Sequence, residues 1–390
     1  MKRRAFLVRS LAALGAAVLG RRAFAQSGVS VPAPAESFDT LRVTLPDSTA
    51  EAAPPAAVTI AAGGDTVLGY NLEAHFDEQL AAGRTRDELY GLYFAGVRPV
   101  LEAADVALVN LECPFTERGV KLPKNFNFRA RRELVEILKR GSVDVVTMAN
   151  NHTMDWGPDG LEDTRLTLDD AGIGHFGAGD DLAEAREPLV VVRNGLRIGF
   201  LGYYFQNDED MLEPRELYAL ANRAGVAGSY TSLGPMRRML ADDVSSLARR
   251  VDAVIPYFHW GKEGSYDVRD YQVELAHLAV DRGARAVLGA HPHRLQGVEV
   301  YKGAPIFYSL GNFVYGGIKD PPDPLTLIAR LTVDRASVSA DVVPVRYTRW
   351  PDVPFQPYVL EGEERSAAIA RFAELSRSFE STLPALAAGR

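Results

Sequence analysis

Short apolar runs alternate with segments of helical spacing over most of the chain, and this alternation constrains the fold more than any other feature. Buried strands are predicted at Val58–Ala62, Val106–Leu111, Val143–Met148, Ala253–Phe258 and Ala286–Leu288. Helices are predicted at Arg131–Arg140, Gly160–Ala171, Tyr271–Arg282 and Glu361–Ser381. Strands that alternate with helices are typical of α/β proteins.

Turn residues add antiparallel hairpins to this pattern. Asn194-Gly195 separates the apolar runs Leu189–Val192 and Arg197–Leu201, and Lys302-Gly303 separates two more. Asn-Gly is a strong hairpin signal because both residues accept the left-handed backbone of a tight turn. Hairpins beside alternating strands and helices favour an α/β fold of two packed mixed β-sheets flanked by helices.

The first residues have the pattern of an export signal. Arg3-Arg4 precedes Phe6-Leu7 and a mostly apolar stretch, and Ala23–Ala25 supplies the small-x-small pattern that a signal peptidase cuts. The paired arginines favour a twin-arginine signal over an ordinary secretory signal. We therefore expect a bacterial protein that is periplasmic or secreted.

Composition divides the chain into four predicted parts. Residues 1–25 are the export signal, and residues 26–56, rich in Ala, Pro, Ser and Val, are a linker or N-terminal extension. Residues 57–350 form the main domain, and residues 351–390 form a C-terminal extension with a helix.

The net charge limits the classes of partner. The formal charge is -8, and residues 1–25 hold six basic side chains and no acid, so removing them leaves -14. A strongly acidic protein is a poor candidate for binding nucleic acid or anionic membranes. An anionic substrate would have to be held by local cations or by metal ions.

Five segments place polar side chains directly after predicted strands. They are Gly64-Asp65, Asn110-Leu111-Glu112, Asn150-Asn151-His152, His259-Trp260-Gly261 and His291-Pro292-His293. Each alone also fits a turn, a strand terminus or a packed histidine. Because α/β folds build sites at strand ends, five such segments in series favour one shared centre. Their mixed oxygen and nitrogen donors suit two divalent ions of the Mn, Fe, Zn or Mg type.

With Asp155 and the run Tyr308–Phe313, these motifs resemble the capsule synthesis protein CapA (poly-γ-glutamate biosynthesis) family, from about residue 58 to residue 313. That family is similar to the calcineurin-like metallophosphoesterases. The resemblance therefore implies a calcineurin-like metallophosphoesterase fold with a two-metal site.

The resemblance also implies roles for the motif residues. One metal would be held by Asp65, Glu112 and His293, and the second by Glu112, Asn151, His259 and His291. His152 would be an outer-shell acid or transition-state stabiliser. Two departures weaken the first shell: Val67 stands where phosphoesterases of this fold usually have histidine, and Glu112 replaces a shorter aspartate.

Four further residues are candidates for contact with the substrate: Asn150, Arg129, His175 and Asn312. Arg129 could grip a carboxylate or phosphate with two parallel hydrogen bonds, or make an ordinary surface ion pair. His175 either lines the pocket or is a packed histidine. Asn312 is expected to cap the loop beside the site.

Two functional hypotheses follow. The first is a metal-dependent hydrolase that cleaves a phosphoester or γ-glutamyl bond in an anionic polymer or small molecule, within poly-γ-glutamate or capsule biosynthesis. The second is a non-catalytic, metal-binding component that assembles or exports a surface polymer beside the membrane proteins of its synthase. The weakened first metal shell is compatible with the second hypothesis.

Overall fold

The computed structural model describes residues 57–379 and 383–384, so the predicted export signal and the predicted linker or N-terminal extension lie outside the described residues. The strands are β1 Val58–Val67, β2 Val106–Leu111, β3 Val145–Thr147, β4 Gly174–Phe176, β5 Ala178–Gly179, β6 Leu189–Arg193, β7 Leu196–Phe205, β8 Gly225–Val226, β9 Ala253–Trp260, β10 Val287–Ala290, β11 Val298–Tyr301, β12 Ala304–Phe307, β13 Asn312–Tyr315, β14 Leu325–Val333, β15 Val338–Arg346 and β16 Tyr358–Val359.

The helices are α1 Asn71–Ala81, α2 Arg86–Leu92, α3 Arg98–Glu102, α4 Val135–Arg140, α5 Gly157–Ala171, α6 Leu182–Ala185, α7 Leu233–Ala248, α8 Asp270–Asp281 and α9 Gly362–Leu375. Short 3₁₀ turns occupy Arg132–Leu134 and Arg215–Leu217. Over the described ranges, no helix combines the length and the apolar character needed to cross a membrane.

The first sheet is mixed. Its strand order is β16-β15-β14-β1-β2-β3-β4, and β13 also pairs with β1. Strands β1 to β4 run parallel, and β13 runs parallel to β1. Strands β14, β15 and β16 are antiparallel to their neighbours. The carboxyl ends of β1, β2 and β3 therefore lie along one edge.

The second sheet has the order β11-β12-β10-β9-β7-β6. Its central strands β7, β9, β10 and β12 are parallel, and hairpins add β6 and β11 at its edges. The hairpin turns are the predicted ones: Asn194 and Gly195 have φ 50° and 73°, and Lys302 and Gly303 have φ 48° and 84°. Left-handed backbone at both turn residues matches the twist of the flanking strands.

Three apolar clusters hold the layers together. One cluster fills the space between the sheets, with Ile60 and Leu108 facing Ile255 and Leu288. The other two clusters join the outer face of the first sheet to α1–α5 and the outer face of the second sheet to α7 and α8. The predicted α/β architecture of two packed mixed sheets flanked by helices is confirmed.

The C-terminal helix packs into the body of the molecule. Phe372 of α9 is fully buried in the cluster between the sheets. The main-chain N–H of Val298 donates a hydrogen bond to Ser376 Oγ over 2.9 Å. The predicted helix is present, but it begins one residue later and ends six residues earlier than predicted. The predicted domain boundary at residue 350 stays a prediction.

Candidate metal centre

The side chains predicted to form the site emerge at neighbouring strand ends. Asp65 lies near the end of β1, Glu112 directly follows β2, Asn151 and His152 follow β3, His259 lies near the end of β9, and His291 directly follows β10. Asn110 of β2 joins the two sheets at this edge: its Nδ2 lies 2.7 Å from Asp65 Oδ1 and 3.1 Å from His259 Nδ1. The two sheets therefore present one common set of side chains.

Two groups of donor atoms share Glu112. The first group is Asp65, Glu112 and His293, and the second is Glu112, His259 and His291, with the ligand atoms of each group within 4.8 Å of one another. His293 Nδ1 lies 3.3 Å from Asp65 Oδ2. His259 Nε2 lies 2.9 Å from His291 Nδ1 and 3.4 Å from Glu112 Oε1. Each group can hold a metal ion.

The carboxylate of Glu112 is the strongest sign that a cation fits here. The side chain is fully buried, and neither carboxylate oxygen has a hydrogen-bond partner among the described residues. Burial, followed by the negative charges of Asp65 and Glu263, raises its pKa well above the usual range. A buried carboxylate without donors is costly unless a cation compensates it. The residues present therefore fit a bound metal.

The histidines differ in their charge preferences. Burial and the neighbouring histidines hold the pKa values of His259 and His291 well below the ordinary value. Both rings are therefore neutral at pH 7, as metal ligation requires. Burial also opposes the charging of His293, but its hydrogen bond to Asp65 and the charge of that carboxylate outweigh burial and raise the pKa of His293.

The turn that carries His291 and His293 has a strained backbone. Their φ values are 99° and 54°, in the left-handed region that residues other than glycine rarely adopt. The main-chain N–H of His291 donates to Asp65 Oδ2 over 3.1 Å, which ties the turn to β1. Such strain persists only where surrounding contacts enforce it, and it concentrates at functional sites.

His152 lies beside the two groups in a defined orientation. Its Nδ1 lies 2.7 Å from Asp155 Oδ2, and its ring packs on Phe128 with centroids 4.2 Å apart. Asp155 also accepts from the Phe128 N–H and pairs with Lys124, so it acts as an acceptor. Nδ1 of His152 therefore carries a proton, and Nε2 is left for proton exchange. Burial lowers the pKa of His152, and Asp155 partly opposes this.

Asn151 and Asn312 each touch a histidine of the site. Asn151 Oδ1 lies 2.8 Å from His259 Nε2, within the second group. Asn312 Oδ1 lies 2.8 Å from His293 Nδ1, and its Nδ2 donates to Tyr347 over 3.1 Å. Asn312 thus orients a member of the first group, and its predicted contact with substrate stays a prediction.

Asn150 has a framework role in the structure. Its Nδ2 donates to Asn110 Oδ1 over 3.0 Å and to the Leu111 carbonyl over 2.8 Å. Its Oδ1 accepts from the main-chain N–H groups of His152 and Thr153, both over 3.0 Å. The amide that was predicted to contact substrate is thus occupied in holding the β3 loop in shape.

Arg129 and His175 are not brought into the cluster. Arg129 is exposed, and its guanidinium lies over the Trp156 ring, 4.1 Å from the ring centroid. His175 Nε2 lies 3.1 Å from Asp169 on α5. Their predicted contacts with substrate have no support in these positions, because each side chain is engaged elsewhere.

Val67 is fully buried, as its apolar side chain requires, and Tyr315 of β13 lies opposite it. The Tyr315 hydroxyl lies 3.4 Å from His293 Nε2, and burial and the charges of Glu112 and Asp65 raise the pKa of Tyr315 well above its usual range. A tyrosine from a distant strand thus lies beside the first group. No strand-end motif predicted this contact.

Three other contacts of the site were also missed by the sequence patterns. Gln206 Nε2 lies 2.8 Å from His291 Nε2, and Lys124 and Glu213 contact Asn151. Lys124 and Glu213 lie in long connections outside the strand-end motifs. A search for polar residues directly after strands could not have found Lys124 or Glu213, whereas Gln206 does follow β7 directly.

A family model described as "Bacterial capsule synthesis protein PGA_cap" matches residues 59–316. The match contains every strand-end motif described above. The "PGA biosynthesis protein CapA" of Bacillus subtilis is 31% identical over 261 residues, which cover 63% of this chain and 65% of that protein.

Two further relatives are similar over a comparable range. The "Capsule biosynthesis protein CapA" of Bacillus anthracis is 28% identical over 256 residues, covering 65% of this chain and 60% of that protein. A "Probable polyglutamine synthesis accessory protein" of Mycobacterium tuberculosis is 32% identical over 260 residues, covering 63% and 67%. The chain thus spans less than two thirds of the length of the two Bacillus relatives.

Proposed function

Because the chain belongs to the bacterial capsule synthesis protein PGA_cap family, we propose that it is a two-metal hydrolase acting in poly-γ-glutamate or capsule production. The family has the metallophosphoesterase-like fold, so the fold and the family predicted from the motifs are both confirmed. The bond cleaved is a phosphoester or a γ-glutamyl amide, in an anionic polymer or a small molecule.

The observation that carries this proposal is the position of Glu112 between two donor groups. One fully buried carboxylate belongs to both groups, and its two oxygens have no other partner in the described part of the chain. A bridging carboxylate is how two-metal sites hold their ions a few ångströms apart. In our assignment Asp65 and His293 complete one shell, and Asn151, His259 and His291 complete the other.

A divalent metal pair of the Mn, Fe, Zn or Mg type would supply Lewis-acid chemistry, polarising a phosphoryl or carbonyl oxygen and acidifying water. The chain itself carries the proton. Because neutral His152 keeps its own proton on Nδ1, its bare Nε2 accepts a proton from the attacking water and then donates it to the leaving group, while Asp155 holds the Nδ1–H and so fixes the ring orientation. Packing against Phe128 keeps the ring from turning.

The test compares purified wild type with His152→Ala, on an aryl phosphate and on a γ-glutamyl anilide, with Mn²⁺ present. We expect the variant to keep its metal, measured by elemental analysis, and to lose about 10²–10⁴-fold in turnover, the usual contribution of a general acid. His277→Gln is the matched control, because His277 lies on α8 and bonds to Glu299. Equal turnover of His152→Ala and wild type would refute the role of His152.

A second candidate function is a non-catalytic, metal-binding component of a surface-polymer synthase. Two observations favour it: Val67 offers no ligand to the first group, and the Mycobacterium relative is described as an accessory protein. In that case metal-loaded wild type would turn over neither substrate, and would instead co-purify with membrane proteins of the synthase.

We propose export as the setting for either function. The support is the twin-arginine pattern at Arg3-Arg4, which lies outside the described residues. Replacing both arginines by lysine in a fusion to a periplasmic reporter should abolish reporter activity. Unchanged activity would exclude the twin-arginine route.

A further inference from the structure

The amide of Asn151 has a direction, and that direction matters for a cation. Its Oδ1 lies 2.8 Å from His259 Nε2, and its Nδ2 lies 3.1 Å from Glu213 Oε1. Only the oxygen of an amide can bind a metal ion, because the NH₂ group has donors and no available lone pair. The amide therefore has to be held with its oxygen towards the two donor groups.

Glu213 enforces this direction. An ionised carboxylate only accepts hydrogen bonds, so it can face the NH₂ end of Asn151 and not the oxygen end. The Glu213 side chain is 12% exposed, and its other oxygen, Oε2, lies 3.2 Å from Lys124 Nζ. Each oxygen of Glu213 thus has its own partner, one a neutral NH₂ group and the other a cation.

Lys124 is itself fixed in place. Its side chain is 4% exposed, and Nζ lies 2.7 Å from Asp155 Oδ1 and 2.6 Å from the main-chain carbonyl of Asn151. The ammonium thus donates a hydrogen bond to the Asn151 carbonyl and makes ion pairs with Asp155 and Glu213. The lysine therefore holds both Glu213 and the residue that Glu213 orients.

We infer that Glu213, held by Lys124, is a positioning residue that sets the Asn151 amide with its oxygen towards the second metal. This inference rests on the metal binding in the proposed function. Glu213, in the loop after β7, thus positions Asn151, the proposed ligand after β3. The buried ion pair of Glu213 and Lys124 thereby gains a role in metal binding.

Glu213→Gln should reverse the direction of the Asn151 amide. Glutamine has one oxygen and one NH₂ group, and the cation Lys124 takes the oxygen. The NH₂ group of the new side chain then faces Asn151, whose amide turns over to present its own oxygen. Its Nδ2 would then point at the second donor group, where it cannot bind a cation. Glu213→Ala, by contrast, leaves the amide free to take either direction.

The experiment is a calorimetric Mn²⁺ titration of metal-stripped full-length protein. We expect Glu213→Gln to weaken one binding step by about 10–100-fold, the usual effect of losing an outer-sphere partner of a metal ligand. Glu213→Ala should lose less Mn²⁺ affinity than Glu213→Gln. Glu209→Gln, an exposed acid in the same loop, removes the same charge and should bind like wild type. Melting temperatures in chelator measure any purely structural effect separately.

A second comparison uses Lys124→Met. Without the cation, glutamine at 213 can turn its oxygen to Asn151, so Glu213→Gln should cost much less affinity in the Lys124→Met background than alone. The inference is overturned if Glu213→Gln binds as tightly as wild type, binds better than Glu213→Ala, or costs the same in both backgrounds. Absence of Mn²⁺ binding by wild type would overturn the proposed function instead, and with it this inference.

Discussion

Glu112→Gln tests the central claim, because the substitution should have opposite effects with and without metal. The change keeps the shape of the side chain and removes its charge. In chelator, wild type buries an uncompensated carboxylate next to Asp65, and the variant buries a neutral amide. We therefore expect the variant to be the more stable protein in chelator and the less stabilised one in Mn²⁺.

The structure sets the size of the effect. Both oxygens of Glu112 lack hydrogen-bond partners among the described residues. A buried charged group without partners costs more than a buried neutral group, and we expect the substitution to gain about 1–2 kcal/mol from this difference. In a chain of this size that corresponds to a rise of a few degrees in melting temperature.

The gain should depend on pH. Folding raises the pKa of Glu112 above its usual 4.5, so the unfolded chain gives up this proton at lower pH than the folded chain does. The contribution of Glu112 to stability in wild type is therefore lost as pH rises above about 4.5. The advantage of Glu112→Gln in chelator should be absent near that pH and should grow towards pH 7.

Thermal melts of both proteins, in chelator and in excess Mn²⁺ and from pH 4.5 to pH 7.5, measure these effects. Mn²⁺ at about 100 times its dissociation constant should add about 2.7 kcal/mol to wild type and less to the variant. Glu78→Gln on α1, an exposed acid, serves as the control. A variant that melts below wild type in chelator at pH 7, or an advantage that does not change with pH, would refute the reasoning.

Two further predictions address the backbone and the proton donor. Gly64→Ala would place its Cβ 1.9 Å from the Gly311 carbonyl oxygen, so we expect a lower melting temperature and weaker Mn²⁺ binding. Gly91→Ala, whose Cβ would have nothing within 4 Å, should instead stabilise α2 by about 0.5–1 kcal/mol. Equal effects of the two substitutions in thermal melts would contradict this expectation. Asp155→Asn should lower the pKa of His152 below its value in wild type, because the charge and the hydrogen bond of Asp155 raise that pKa. NMR titration of the imidazole in chelator measures the change, and an unchanged or higher pKa would contradict the prediction.

Much of the fold was accessible to sequence patterns because the signals were local. The Asn194-Gly195 turn needs left-handed backbone at both positions, and the structure has it there. The strand Val106–Leu111 was predicted with its exact bounds, since a fully buried parallel strand is a continuous apolar run. The strand at Val58 was predicted too short, because it was expected to end at Ala62 whereas β1 continues to Val67.

Only part of the candidate site could be predicted from the sequence. Residues at strand ends came together because parallel strands share a carboxyl edge, and this placed Asp65 beside Glu112 without any knowledge of the loops. Contacts made by long connections could not be predicted in the same way. Lys124 and Glu213 are separated in sequence by the strands from β3 to β7, and they meet beside Asn151. His175 shows the converse, since a polar residue beside a strand end turned towards a helix.

The arrangement of charges argues that these side chains are kept for a ligand. Glu112 is buried without donors, His259 and His291 are held neutral by burial, and the turn of His291 and His293 is strained. Each feature lowers the stability of the protein without a ligand, and apolar side chains of similar volume would remove most of that cost. A cation bound at Glu112 would compensate the buried charge and bind the neutral imidazole rings. Its binding energy would also offset the strain of the turn. This holds for a hydrolase and for a metal-binding accessory protein alike, so turnover by the metal-loaded protein is the measurement that separates the two.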